Sequence, residues 1–472
     1  MNDPTVSVVI PTYNGADHLG KTIQSVLDQT YSNFELIIVD DGSVDNTFDV
    51  VNQFEDPRIK FVPLGNNRGA DAARNVGIRQ SIGNIIAFLD QDDLFHPEKL
   101  QMHVEYMAKH PHVGFTYNPR YELNYSSETI REISPFPKKL TLKDIVLGHK
   151  LSPSEMVFRK EWAFRVDLLD EDHNFHGGEI IFVGRLFLSG CKFAYINRVL
   201  NYRRYHSERV YKNLSGTCQD ERDAQDKIFF DPRCPKNIRA LRNIAHVNMY
   251  LYFTCLAFVQ NETALGREFV LEAVRLNPNI ITDKPCQLIK SFLINSIDDE
   301  TQNHEEILES FFNQLPTDLA WLSEEKDWAV ARGYFDKGVR AIIWDRSEDG
   351  ERYLSKLTKM TSQMDESFFQ SLTYQLMNYE AEFGPDKTEE TILRLEPYLK
   401  ELGSLGSVFQ LRSNYIMNRA FRAYRNNRFS VVPRKVLTAI TYNPKYITNR
   451  GVLSIFFRSM LKMIANLFGS SL

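Results

Sequence analysis

The chain is poor in cysteine and has no cysteine pairs. Cys191, Cys218, Cys234, Cys255 and Cys286 are odd in number and widely spaced, and none forms a CxxC or a zinc-type spacing. This excludes a disulfide framework and favours a reduced, cytoplasmic setting. The first residues, MNDPTVSVVIPTYN, lack a basic stretch followed by an apolar run. No unbroken apolar run of about 18 residues occurs either, so neither an export signal nor a membrane span is expected. The net charge of −5, from 56 Lys and Arg against 61 Asp and Glu, argues against a nucleic-acid footprint. One familiar phosphate cradle is missing too: no GxGxxG follows the first apolar run, which disfavours a dinucleotide site.

What is present is a chain of 472 residues, 43% apolar and 25% charged, long enough for two or three soluble domains. Before about residue 210, short apolar runs alternate with helical patterns. VSVVI (6–10), FELIIVD (34–40), IKFVPL (59–64) and NIIAFLD (84–90) read as strands. Helices are expected around 18–30, 45–54, 70–82 and from Pro97 to about His110. Continuous apolar strands separated by helices predict an α/β fold with a doubly wound, mostly parallel sheet covered on both faces. Ligands bind such sheets beyond the carboxyl ends of the strands. That rule gathers PTYN, DDGS and DQDD into one place.

IIAFLDQDDLFHPEKL (85–100) runs from a strand straight into Asp90, Asp92 and Asp93. Three like charges this close repel one another, and a positive partner is called for. Capping of the next helix accounts for one carboxylate and leaves two. Oxygen-only donors on a short loop suit Mg2+ or Mn2+, with positions open to phosphate oxygens.

VSVVIPTYN, ELIIVDDGSVDNT, NNRGADAARNVGI and IIAFLDQDDLFHPEKL together resemble, in order and spacing, the motifs of family 2 glycosyltransferases. The resemblance covers about residues 5–210. It implies a GT-A fold and metal-dependent, inverting transfer of a sugar from a nucleotide diphosphate, with uracil the favoured base. It places Pro11, Thr12, Asp40, Arg68, Arg74, Asp90 and Gln91 at the donor. Asp40 would accept from the base, and Asp41 is the expected turn residue of DDGS. Asp90 and Asp92 form the DxD pair, Asp92 being the principal metal ligand. Asp93 is expected to orient the loop or an acceptor hydroxyl.

An inverting transfer needs a base opposite the departing diphosphate. The family carries a Glu-Asp pair before an RL…G pattern, and here the region reads FHGGEIIFVGRLFLSG. This alignment puts Glu179 at the base and Gly178 where the family has Glu, which is a departure. Asp170, Glu171 and Asp172 match a neighbouring segment that is usually structural. NYRRYHSERV resembles the closing Tyr-Arg-x-His segment, making His206 a candidate metal ligand.

Beyond about 215 the pattern is helical. REFVLEAVRLNPNIIT (267–282) matches RKVLTAITYNPKYIT (434–448), pairing Asn277 with Asn443 and Ala257 with Ala423. The repeat, about 250–282 and 416–448, resembles tetratricopeptide-like hairpins, and ARGYFDKGVRAI (331–342) opens a degenerate third unit. The last segment, 451–472, is an amphipathic helix with a polar stripe at Ser454, Arg458, Lys462 and Asn466. It suits either a membrane interface or burial on the helical domain. The expected organisation is therefore a catalytic domain 1–215, a helical domain 216–450 and the terminal helix. The expected function is transfer of a sugar, from a UDP-sugar by preference, to a glycan, lipid-linked or protein acceptor in cell-surface glycoconjugate synthesis. A nucleotidyltransferase and an inactive donor-binding scaffold are the alternatives, the second raised by Gly178.

Overall fold

The computed structural model describes residues 6–124, 128–134, 136–149, 151–171, 178–205, 213–297, 302–358, 360, 364–403 and 405–468. Its first element, β1 (Val6–Thr12), is buried along its whole length. Because side chains alternate across a strand, Val9 enters one core with Ile86, Phe88 and Phe158. Val8 and Ile10 enter the other, with Leu36, Ile38 and Leu100. A strand that is apolar on both faces needs cover on both, and α1 (Ala16–Leu27), α3 (Ala70–Gln80), α4 (Lys99–Lys109) and α7 (Gly178–Leu188) contribute to it.

β2 (Phe34–Asp40) and β3 (Ile59–Pro63) extend the sheet in parallel on one side of β1, with the short α2 (Thr47–Asn52) between them in sequence. β4 (Ile85–Phe88) lies parallel on the other side. The full order is β10-β6-β9-β4-β1-β2-β3, with β6 (Phe115–Tyr117), β9 (Val157–Arg159) and β10 (Phe193–Tyr195) on the β4 side. β9 pairs antiparallel with both β4 and β6, so the sheet is mixed. Three residues are too few for a periodicity that could announce β9 in sequence. A second sheet, β5-β11-β7-β8, is built from β5 (Leu94–Phe95), β7 (Arg120–Asn124), β8 (Ile130–Ser134) and β11 (Asn201–Tyr205). It sets β11 against the stretch just after the acidic loop, Tyr202 opposite Leu94. Two short helices, α5 (Leu142–Val146) and α6 (Lys160–Arg165), complete this part.

Among the described residues no strand follows Tyr205. Packing nevertheless divides the chain later, into Met1–Ser323 and Glu324–Leu472. The expected boundary at 215/216 falls inside a shared core. Ile228 and Phe229 of α8 (Leu214–Phe229), with Cys234 and Ile238, belong to the same apolar cluster as Phe158, Ile180 and Val183. Helices α9 (Lys236–Arg239), α10 (Arg242–Val259), α11 (Thr263–Leu276), α12 (Gln287–Ser296) and α13 (His304–Asn313) complete the first unit. The second holds α14 (Lys326–Ile343), α15 (Ser347–Leu357), α16 (Glu366–Gly403, broken at Gly384), α17 (Leu405–Arg425), α18 (Val432–Tyr442) and α19 (Arg450–Phe468). All five cysteines are buried and none is in a disulfide. No helix of the described residues is long and apolar enough to cross a membrane.

The repeat is two helix pairs, α10–α11 and α17–α18. Ala257 and Ala423 are buried in each. After each second helix, Asn277 and Asn443 accept from the amides of Asn279 and Lys445, 3.2 and 3.1 Å away, and turn the chain into a 3-10 turn beginning at Pro278 or Pro444. The 331–342 segment lies in α14, which pairs with α15 as a third hairpin.

Candidate active site

The loops after β1, β2 and β4 meet at the carboxyl edge of the sheet. Thr12 stands opposite Asp40 in the β1–β2 register. Gln91 then ties the first loop to the acidic one. Its Oε1 accepts from Thr12 Oγ1 at 2.7 Å and from the Tyr13 amide at 2.9 Å, and its carbonyl accepts from Thr22 Oγ1 at 2.8 Å. The second loop is locked to the first by the Asn14 amide on Ser43 Oγ and the Val44 amide on Asn14 Oδ1, both 2.9 Å.

The turn in DDGS belongs to Asp40, not to Asp41. Asp40 Oδ1 accepts from the amide and hydroxyl of Ser43, at 3.0 and 2.5 Å. Asp41 instead receives the amides of Arg68 and Gly69, at 2.8 and 2.7 Å, and so holds the loop before α3. Burial raises the Asp41 pKa against the pull of those amides. Position in the motif could not separate the two aspartates, since both suit a turn.

The positive partner of the acidic loop inside the chain is Arg74. Its guanidinium, buried on α3, bonds Asp90 Oδ1 at 2.6 Å and Asp71 Oδ1 at 2.7 Å. Burial works against that charge, but Asp90, Asp71 and Glu179 together outweigh it and push the Arg74 pKa up. Both its terminal nitrogens are thus engaged by carboxylates. Arg68, expected beside it, is half exposed and pairs with Glu171 at 3.0 Å.

Beyond Arg74, the charge of Arg203 bears on Asp93. Asp93 is buried, held by Ser154 Oγ at 2.6 Å and by the Arg204 amide at 3.2 Å. Burial first, then the charges of Asp92 and Asp90, raise its pKa well above the usual carboxylate value. These contacts tie the loop at Asp93 to Ser154 and to β11. Ser154 Oγ also accepts from the Asp90 amide, and Ser152 Oγ lies 3.5 Å from Asp90 Oδ2. Asp90 and Asp92 remain partly open to solvent. As oxygen donors on a short loop, they fit a hard divalent cation. Among the described residues no three His, Cys, Asp or Glu side chains converge as a closed metal cage. His206 lies outside the described residues.

Glu179 is in the first turn of α7, partly exposed, and makes no hydrogen bond or ion pair among the described residues. Its charge bears on both Asp71 and Arg74. Gly178, the departure from the family pattern, has a steric cause. A Cβ there would lie 1.7 Å from Asp71 Oδ2 and 2.7 Å from Asp71 Cγ. The carboxylate of Asp71 occupies the space that a side chain at 178 would take. Burial pushes the Asp71 pKa up to about 6, against Arg74 and with help from Glu179 and Asp90. Asp71 was missed in the sequence because an acid in the first turn of a helix is already explained by the dipole. The paired signal, an extra acid at 71 and a missing one at 178, is visible only once the two are known to touch. Of the neighbouring acids, Asp170 pairs with Lys227 at 2.9 Å and Arg185 at 3.1 Å. Glu171 accepts from Asn75 at 2.8 Å and from Arg68, and Asp172 lies outside the described residues.

The family model described as "Glycosyl transferase family 2" matches residues 7–165, from β1 through the acidic loop to α6. An uncharacterised glycosyltransferase of Haemophilus influenzae is 30% identical over 213 residues, which span 43% of this chain and 69% of that protein. The chain belongs to glycosyltransferase family 2. This glycosyltransferase is also 37% identical over 146 residues to the UDP-Glc:alpha-D-GlcNAc-diphosphoundecaprenol beta-1,3-glucosyltransferase WfgD of Escherichia coli. That match spans 31% of the chain and 56% of the relative, little more than half its length. S. aureus TarS 1-349, solved in complex with UDP-GlcNAc, is 17% identical with a TM-score of 0.42, covering 76% of this chain and 95% of that one.

Proposed function

We propose that this glycosyltransferase moves a sugar from a nucleotide diphosphate, a UDP-sugar by preference, to an acceptor hydroxyl with inversion, in the assembly of cell-surface glycans. The observation that carries the reading is the meeting of Thr12, Asp40 and the Asp90–Asp93 loop at one sheet edge, with Glu179, unpaired among the described residues, bearing on the Arg74 that holds Asp90. Residues 1–215 supply the catalytic groups in this reading.

Pro11 and Thr12 would border the nucleotide. Asp40 Oδ1 is committed to Ser43, so Oδ2 is the atom that would accept from the base. Arg68, half exposed, is a cation able to turn to the diphosphate, where its fork suits phosphate oxygens. Arg74 holds Asp90 in place, and Gln91 fixes the acidic loop to Thr12. Asp90 and Asp92 would hold Mg2+ or Mn2+, with His206 a further ligand, and the ion would neutralise the departing diphosphate. Glu179 would take the proton of the acceptor hydroxyl as its oxygen bonds to the anomeric carbon. The bond from that carbon to the diphosphate breaks in the same displacement, releasing UDP.

The full chain incubated with labelled UDP-sugars and a panel of glycan and lipid-linked acceptors, with and without Mn2+, tests this. Labelled product of inverted anomeric configuration is expected. Tight UDP-sugar binding with no transfer to any acceptor would favour the scaffold, and release of pyrophosphate from a nucleoside triphosphate would favour the nucleotidyltransferase. Gly178, which raised the scaffold reading, is accounted for by Asp71.

A further inference from the structure

The last 71 residues, 402–472, contain eleven of the 56 Lys and Arg and none of the 61 Asp and Glu. A stretch of mixed helices with one sign of charge throughout is unusual for a folded surface, where the signs are normally interspersed. Part of the charge is answered from α16. Arg412 pairs with Glu389 and Glu396, and Arg419 and Arg422 pair with Glu380. Seven others, Arg425, Arg428, Arg434, Lys445, Arg450, Arg458 and Lys462, are exposed and make no ion pair among the described residues.

Apolar surface accompanies this charge. In α19 the spacing of Val452, Ile455 and Ser459 defines a buried face, Val452 and Ile455 joining the cluster of Met417, Ala420, Val436 and Ala439. Phe457, Met460, Leu461 and Ile464 recur at i, i+3, i+4 and i+7 and form one stripe on the opposite side. They are 58%, 38%, 66% and 46% exposed. Arg458 and Lys462 run one turn apart along one side of the stripe, the Lys462 ammonium 4.2 Å from the centroid of the Phe429 ring. The helix is therefore docked by one face and presents the other, apolar and flanked by cations, to solvent.

We propose that α19 and the basic surface around it seat on an anionic lipid bilayer, the apolar stripe entering the headgroup boundary and the cations meeting lipid phosphates. Apolar insertion beside cations is the chemistry of an interfacial helix. A soluble polyanion would engage the cations and leave the stripe in water. A second copy of this chain carries the same positive charge, so the charged faces would repel. The proposal rests on this unit alone and holds whichever sugar is transferred.

The test is sedimentation of the full chain with vesicles of phosphatidylcholine and phosphatidylglycerol at 7:3, against vesicles of phosphatidylcholine alone. We expect at least tenfold stronger partitioning to the anionic vesicles at 0.1 M NaCl and its loss at 0.5 M. Phe457→Ser/Leu461→Ser/Ile464→Ser and Arg458→Gln/Lys462→Gln change exposed side chains only, and each should weaken partitioning at least tenfold with an unchanged circular dichroism spectrum. Equal sedimentation with both vesicles, or a triple variant that binds anionic vesicles like the parent, would overturn the proposal. So would binding to soluble polyphosphate as tight as to vesicles and indifferent to the apolar triple variant. A dimer abolished by that variant, with no vesicle binding, would assign the stripe to a second copy instead.

Discussion

At the scale of single residues, three acids, Asp71, Asp90 and Glu179, surround one buried arginine, Arg74. Asp92 is partly open to solvent, whereas Asp93 is buried on Ser154 and the Arg204 amide. Asp92→Asn should therefore nearly abolish transfer and the Mn2+-dependent part of UDP binding while leaving thermal unfolding unchanged. Calorimetric titration with UDP checks it, and an unaltered Mn2+-dependent affinity would remove Asp92 from the site. Glu179→Gln should lower transfer by about 10²–10⁴-fold, the usual contribution of a positioned base. Donor affinity should stay within about twofold, because the proposed donor contacts lie at Asp40, Arg68 and the acidic loop. Glu179→Asp shortens the side chain by one methylene, and an offset near 1 Å can cost about 10²-fold. A steady-state assay in which both variants match the parent would make Glu179 an ordinary helix-start acid. Gly178→Ala must displace the Asp71 carboxylate, since the new Cβ would lie 1.7 Å from it. The expected loss is about 1–3 kcal/mol of stability. In Asp71→Ala the same change should cost far less, so a double-mutant cycle by urea unfolding should show coupling above about 1 kcal/mol.

At the scale of elements, α16 is two helices. Gly384 has φ +85° and ψ 171°, a region open essentially to glycine, and Pro385 follows it. No atom lies within 4 Å of a Cβ built there, so Gly384→Ala isolates backbone strain from crowding. It should lower the unfolding free energy of the second unit by about 1–3 kcal/mol, read by urea titration. A change below a few tenths would mean that the break relaxes without cost. The Asn-Pro turns of the two repeat copies show the same device twice, with Asn277 and Asn443 each accepting from the amide two residues on.

At the scale of the whole molecule, change of architecture and division of packing fall at different places. Among the described residues strands end at Tyr205, yet α8 carries Ile228 and Phe229 into the core shared with β9 and α7. A fragment of residues 1–215 should therefore be unstable, exposing that core and binding a hydrophobic dye. A fragment of residues 1–323 should unfold cooperatively and keep UDP binding. Cooperative unfolding of the shorter fragment, followed by calorimetry, would contradict this.

The sequence by itself determined the four central strands, their helices and the gathering of three loops, because continuous Val and Ile runs and spaced motifs are local signals. The repeat was equally legible, since Ala257 and Ala423, and the two Asn-Pro turns, hold the same structural positions in each copy. What only the tertiary structure decided depends on distance in space. That Asp40 rather than Asp41 makes the turn follows from where the 68–69 amides come to lie. That Gly178 is required follows from Asp71, 107 positions away in the chain and in van der Waals overlap with any side chain put there. That β11 lies against the acidic loop, and that α19 buries one apolar face while exposing another, are likewise facts of packing. Periodicity can show that a helix has two faces, but only its neighbours decide which of them is covered.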